Sequence, residues 1–145
     1  MQLSRNFSLD ELCYSDVARA NNILNRPSQD SQIIELTALC QKVLQPLREW
    51  YGKPLKLNSG FRTQTLNALV GGVSNSQHTK GQAADINVSN SREVAEGFIA
   101  YMQRAKISFD QAIIEHDKKG NLWLHVSHRA DGQNRGNVIL NMEKK

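Results

Sequence analysis

Apolar residues along this 145-residue chain recur first at helical and later at alternating spacing. Ile33, Leu36, Cys40, Val43, Leu44, Leu47 and Trp50 lie three and four apart, which marks one face of a long helix. Asp30-Ser31 opens it, and Gly52 and Pro54 stop it. Pro46 falls inside and predicts a kink, since its ring removes an amide donor and crowds the preceding turn. Earlier, Ser8-Leu9-Asp10-Glu11 reads as a capping box with Phe7 as its hydrophobic staple, so a short helix is expected to end before Ser15. After Pro54 the period drops to two. Residues 55–58 read as a strand, and Ser59-Gly60 as the turn out of it. Thr63 caps a short helix with Leu66, Leu69 and Val70 on its apolar side, closed by Gly71-Gly72.

Residues 83–88 form a second predicted strand, and 91–106 an amphipathic helix burying Val94, Phe98, Ile99 and Met102. Two apolar runs, 109–115 and 122–127, flank Asp117-Lys118-Lys119-Gly120-Asn121 as a hairpin, and 137–142 reads as an edge strand. Helices in front and hairpin-linked strands behind predict an α+β domain, a small antiparallel sheet flanked by helices. One domain is expected over 1–145, with its core at about 7–142 and a charged Glu143-Lys144-Lys145 tail.

Composition narrows the classes. A chain of this length buries roughly two-thirds of its unfolded surface and needs neither disulfides nor a structural metal to fold. Cys13 and Cys40 are far apart and lack a CxxC partner, which reads as two buried free thiols. No apolar run approaches the ~20 residues of a membrane span, and no apolar signal core follows the first residues, so synthesis in the cytoplasm without a signal peptide is expected. The net charge of +4 gives mild attraction to polyanions, but the basic residues are scattered and aromatics are 6%, which ranks nucleic-acid binding last.

Two of the 4 histidines keep chemically suggestive company. His78 lies in a polar loop, and Asp85 follows seven positions later on a strand, with small Gly81, Ala83 and Ala84 between them. Small residues let the backbone fold back tightly enough to bring imidazole and carboxylate to zinc-ligand distances. His125 lies on the second hairpin strand. Two histidines and one carboxylate, with a fourth position open to water, make a catalytic rather than a structural zinc set. His116 and His128 sit an odd offset from Glu115 and His125, so alternation turns them away and both are expected to be exposed, the alternative being that His128 curls toward the cleft at the strand end. Asp110 and Gln111 are candidates to hold a ligand imidazole by its other nitrogen.

The stretch Ser76-Gln77-His78-Thr79-Lys80-Gly81-Gln82-Ala83-Ala84-Asp85 resembles the S-x-H-x-x-G-x-A-x-D pattern of the M15 zinc peptidases, and Trp123-Leu124-His125 resembles their Trp-x-His. Ser59-Gly60-Phe61-Arg62 and the helix end Leu44-Gln45-Pro46-Leu47-Arg48 extend the likeness over most of residues 30–128. It implies the fold shared by D-Ala-D-Ala carboxypeptidases, L-Ala-D-Glu endolysin peptidases and the hedgehog zinc domain, with one zinc held by His78, Asp85 and His125. Arg62 would bind a substrate carboxylate or polarise the scissile carbonyl; the alternative is a surface salt bridge. Where many relatives carry an acid three positions before the last histidine, this chain has Leu122, so the base must come from elsewhere. Phage-type members resemble this variant, and Glu115, closing the strand that contains Phe109-Asp110-Gln111, is the expected base, with a solvated hairpin-end residue as the alternative. The implied activity is hydrolysis of a peptide bond in peptidoglycan stem peptides, by a monomer acting at the bacterial wall after release or in a phage particle. The competing class is a non-catalytic zinc-binding module of hedgehog type, or a phage structural protein.

Overall fold

The computed structural model describes residues 1–144. The first residues form a two-stranded ribbon, β1 (Gln2–Ser4) against β2 (Phe7–Ser8), that leads into α1 (Leu9–Cys13). Leu3 and Phe7 are both buried, so the core begins ahead of Phe7. A buried glutamine makes this possible: Gln45 accepts from Ser4 Oγ and Asn6 N, both at 2.8 Å, and donates to Asn6 Oδ1. The capping box works as expected at Ser8, whose hydroxyl accepts from Glu11 N at 3.2 Å. A second helical stretch, α2 (Asp16–Ala20), starts at Ser15 in the same way.

The long helix is two helices. α3 (Asp30–Leu39) passes through a π-helical turn over Cys40–Leu44 into α4 (Gln45–Tyr51), so the break lies just ahead of Pro46 rather than in the last turns. Gln45 N–H bonds to Cys40 O across the wider π turn, which takes up the disruption that the proline ring imposes. Leu36, Leu39, Cys40, Val43, Leu44 and Leu47 are all sealed in the core. Trp50 remains half exposed, stacked on Tyr101 at 4.7 Å and edge-on to Phe98. Gly52 ends α4 at φ 76°, a left-handed cap. Both cysteines are buried and free, and burial pushes their thiols up to about 11 for Cys13 and about 12 for Cys40.

Five strands make the main sheet: β3 (Leu57–Ser59), β4 (Ala83–Asn87), β5 (Gln111–His116), β6 (Leu122–Ser127) and β7 (Asn137–Glu143), in the order β3-β4-β6-β5-β7. β3, β4, β6 and β5 pair antiparallel. β7 departs from the expectation and runs parallel to β5, Gln111 facing Asn137. The chain leaves β6 at the end where β5 begins, and β7 starts beside Gln111 at that same end on the free edge of β5, so the two strands run in the same direction. Glu143 and Lys144 thus belong to the sheet edge rather than to a solvated tail, and Lys145 lies outside the described residues.

Helix α5 (Gln64–Leu69) is capped by Thr63, and α6 (Arg92–Arg104) by Ser91. Fewer than two turns give α5 room for one inward apolar residue, Leu66, and Leu69 and Val70 face solvent against expectation. α6 lays Ala95, Phe98, Ile99 and Met102 on the sheet, sharing one core with α3, α4 and the inward residues of β4, β5 and β6. Among the described residues, no helix is long and apolar enough to cross a membrane.

Candidate metal centre

Asp85 and His125 meet as direct cross-strand partners on β4 and β6, two of the three interior strands. Asp85 Oδ1 lies 3.1 Å from His125 Nδ1 and 3.4 Å from His78 Nε2. Donors bound to one zinc at ~2.1 Å in tetrahedral geometry stand ~3.4 Å apart, so these separations fit a shared ion. One donor atom from each of the three residues lies within 4.8 Å of the others, and all three residues are buried.

His78 is oriented from behind. Its loop, a 3-10 turn over Gln77–Lys80, ends at Gly81 with φ 77°. A side chain at Gly81 would put its Cβ 2.5 Å from Gln32 O, so only glycine lets the loop sit against α3. His78 Nδ1 lies 2.7 Å from Gly60 O. A carbonyl only accepts, so Nδ1 carries the proton and Nε2 presents its lone pair to the centre. Gly60 is tight for a related reason, as a Cβ there would stand 2.3 Å from Leu12 O. The Ser59-Gly60-Phe61-Arg62 turn therefore aims an imidazole as well as carrying Arg62.

Arg62 is placed at the rim of the centre. Its guanidinium donates to Ser59 Oγ at 3.1 Å and Asn67 Oδ1 at 3.2 Å, and Nη2 lies 3.7 Å from Asp85 Oδ2. Its side chain is 17% exposed, and it lines a polar cleft of about 710 Å³ together with Arg26, Lys80 and Gln82. On the other flank, Asp85 and Trp123 border a second cleft of about 620 Å³ lined by Asn58, Asn87, Asn90 and Asn121.

Glu115 faces the same side of the sheet as His125. Ile113 is the partner of His125, and Glu115, two residues on, is the partner of Trp123. The carboxylate is 4% exposed, so it is not a solvated hairpin end. Trp123 Nε1–H donates to Oε1 at 2.7 Å, and Lys144 Nζ lies 3.5 Å from Oε2. The indole contact was visible in principle, since Trp123-x-His125 puts both side chains on one face. Lys144 was not, because its place depends on the parallel pairing of β7.

Asp110 and Gln111 do not hold an imidazole. Asp110 is fully buried and accepts from Arg135 N, Nε and Nη2 at 3.0, 2.9 and 2.8 Å and from Gln77 Nε2 at 2.9 Å. The Arg135 guanidinium, aided by Gln77, holds its carboxyl down to about 2, against the opposing effect of burial. His128 is buried, contrary to expectation. β6 ends at Ser127, and the chain then turns His128 inward, its N–H donating to Gln82 O and its Nδ1 set 2.8 Å from Ser108 O. It takes no part in the three-residue cluster. His116 is half-buried at the end of β5.

The electrostatics follow from burial and neighbours. Burial opposes charge on Asp85, but His78 and His125 outweigh it and hold the carboxyl well below the usual range. Burial likewise opposes charge on His125, and the hydrogen bond to Asp85 overcomes it and raises the imidazole.

An interior-strand Asp and His, a loop His and a buried acid beside them define a metallopeptidase arrangement, and the chain belongs to the M15 peptidases, whose family model matches residues 5–127. It is similar to the zinc D-Ala-D-Ala carboxypeptidase of Streptomyces albus G, 44% identical over 64 residues that cover 43% of this chain and 23% of that protein. The matched region thus spans less than a quarter of that relative's length.

Proposed function

We propose that the protein is a zinc-dependent peptidase that hydrolyses a peptide bond in peptidoglycan stem peptides, as a D-Ala-D-Ala carboxypeptidase or an endopeptidase. The observation that carries this reading is the convergence of His78, Asp85 and His125 at ligand separations with Glu115 buried on the same face. The donor set suits zinc: Gly60 O sets the tautomer of His78 from behind, and Asp85, itself a proposed ligand, faces the two imidazoles with one oxygen. Zinc in this set lowers the pKa of water and acts as a Lewis acid toward a carbonyl. Glu115 is the proton carrier, taking a proton from the attacking water and giving it to the leaving amine, with Trp123 fixing its carboxylate plane. Arg62 offers a charged donor to the substrate's carboxylate or scissile carbonyl from the rim. The carboxypeptidase named for D-Ala-D-Ala to which the chain is similar favours a C-terminal carboxylate as what Arg62 meets. The place of action is the bacterial wall.

Elemental analysis and mass spectrometry of digested muropeptides test this together. One zinc per chain and hydrolysis of one stem-peptide bond are expected, with loss of a terminal residue marking a carboxypeptidase and an internal cut an endopeptidase. Metal-replete protein with no zinc, or unchanged zinc in His78→Ala, would overturn the site, and zinc-loaded protein inert on every muropeptide would leave the non-catalytic module.

A further inference from the structure

The loop that carries His78 is held from two sides of the sheet. On the β3 side, Gly60 O takes the His78 ring N–H, and Arg62 N donates to His78 O at 3.1 Å. On the β5 side, Gln77 Nε2 donates to Asp110 Oδ2 at 2.9 Å, at the residue that opens the strand leading to Glu115. Strands β4 and β6, with Asp85 and His125, lie between these anchors. Backbone bonding adds a further tie at the loop's exit, from His128 N to Gln82 O.

Two features single out the Gln77–Asp110 bond. With three donors from Arg135 and one from Gln77, the four acceptor positions of the buried carboxylate are filled, so Gln77 completes a set that would otherwise leave a charged oxygen short of a partner. The orientation of the Gln77 amide follows, because the reverse would set its oxygen against the carboxylate. In this orientation Gln77 Oε1 is sealed from solvent and has no partner among the described residues. A methionine would fill the space without that unpaired acceptor, so the amide is held for its NH2.

We propose that Gln77 and Asp110 are positioning residues of the metal centre, with Arg135 presenting the Asp110 carboxylate and Gln77 transmitting its position to the adjacent His78. The inference rests on the reading of His78, Asp85 and His125 as zinc ligands, and its test has one arm that does not need zinc. Without the tether the loop pivots about its β3-side anchors, and His78 Nε2 leaves its place 3.4 Å from Asp85 Oδ1.

The experiment compares wild type, Gln77→Met, Asp110→Asn and the double variant. Zinc affinity is measured by competition with a chelator, and amide exchange of residues 77–82 is measured in chelator-stripped protein. Gln77→Met is expected to weaken zinc ~10- to 100-fold, the usual effect of losing a partner behind the ligands, and to speed exchange in the loop at a little-changed melting temperature. In the Gln77→Met background, Asp110→Asn should weaken zinc no further. Gln77→Met with zinc affinity within threefold of wild type and unchanged exchange would overturn the proposal, as would additive losses in the double variant. If Asp110→Asn fails to fold, the two measurements on Gln77→Met decide alone. Wild type without zinc but with faster loop exchange in Gln77→Met would overturn the zinc reading and keep the tether.

Discussion

Glu115→Gln keeps the shape of the side chain and removes its capacity to take up a proton. The Trp123 indole donates to Oε1 at 2.7 Å, and a glutamine carbonyl in the same place still accepts that bond. The cost falls at Oε2, where an NH2 group would face Lys144 Nζ at 3.5 Å. The Lys144 side chain is 50% exposed and can swing into water, so folding should lose no more than the ~1 kcal/mol of a solvent-screened pair. In a chain of this size that is a shift of about 2–4 °C in melting temperature. The chemical step should lose far more: a positioned base contributes ~10²- to 10⁴-fold in rate, or ~2.7 to 5.4 kcal/mol of barrier. The assay is release of D-alanine from a stem pentapeptide by zinc-loaded wild type and variant, with zinc content and melting temperature measured on the same preparations. One zinc per chain, a small thermal shift and kcat lowered at least a hundredfold are expected. A variant keeping more than a third of wild-type kcat refutes the assignment, and a variant that loses its zinc makes Glu115 a support of the metal instead.

Arg62→Lys keeps the charge and loses the fork, so KM for the stem peptide should rise about tenfold or more, from the ~1.5 to 3 kcal/mol of a charged hydrogen bond, with a lower melting temperature from the lost bonds to Ser59 and Asn67; wild-type kinetics with only the thermal loss would return Arg62 to a structural role. Gly60→Ala brings a Cβ to 2.3 Å from Leu12 O, so chemical denaturation should show a loss of about 2 kcal/mol or more, with weaker zinc binding because the same carbonyl holds His78. In chelator-stripped protein, the raised His125 contributes stability below its ordinary value near 6.5 and loses it as pH rises through the folded value, whereas the lowered Asp85 contributes above its ordinary 3.8 and loses it in acid. The stripped protein should therefore draw most from this pair between about pH 4 and 6.5, and the thermal gain on adding zinc should widen from pH 6 to pH 8; calorimetry showing a constant gain would contradict this.

Much of this arrangement could be read before any coordinates, and the particular misses show where reading stops. The hairpin and β4 were legible because alternation survives in strands with one face on a core; His78 and Asp85 stand out because small residues lie between them, and His125 because it follows Trp123 on the second hairpin strand. The direct pairing of Asp85 with His125 was not legible, since register between strands 40 residues apart is set by the whole sheet. Parity failed at His128 because it holds only while the strand continues, and β6 stops one residue earlier. From sequence Asp110 reads as an imidazole's support, but its partners come from the loop before β4 and the loop before β7, which no local pattern connects to it. The solvent-facing Leu69 and Val70 show the limit of apolar spacing in a helix shorter than two turns.

The central pairing of β4 with β6 also bears on the order of assembly. Asp85 and His125 are 40 residues apart, with α6 and β5 between them, so the pairing that joins them closes a long loop, and its entropy cost is met before a metal can bridge all three donors. In an unfolded or partly folded chain His125 is separated by 40 residues from Asp85, and only His78 and Asp85 stay near one another along the chain. On the proposed ligand set, zinc would lock the finished sheet rather than template its building, and its stabilisation would appear as slower unfolding rather than as faster folding.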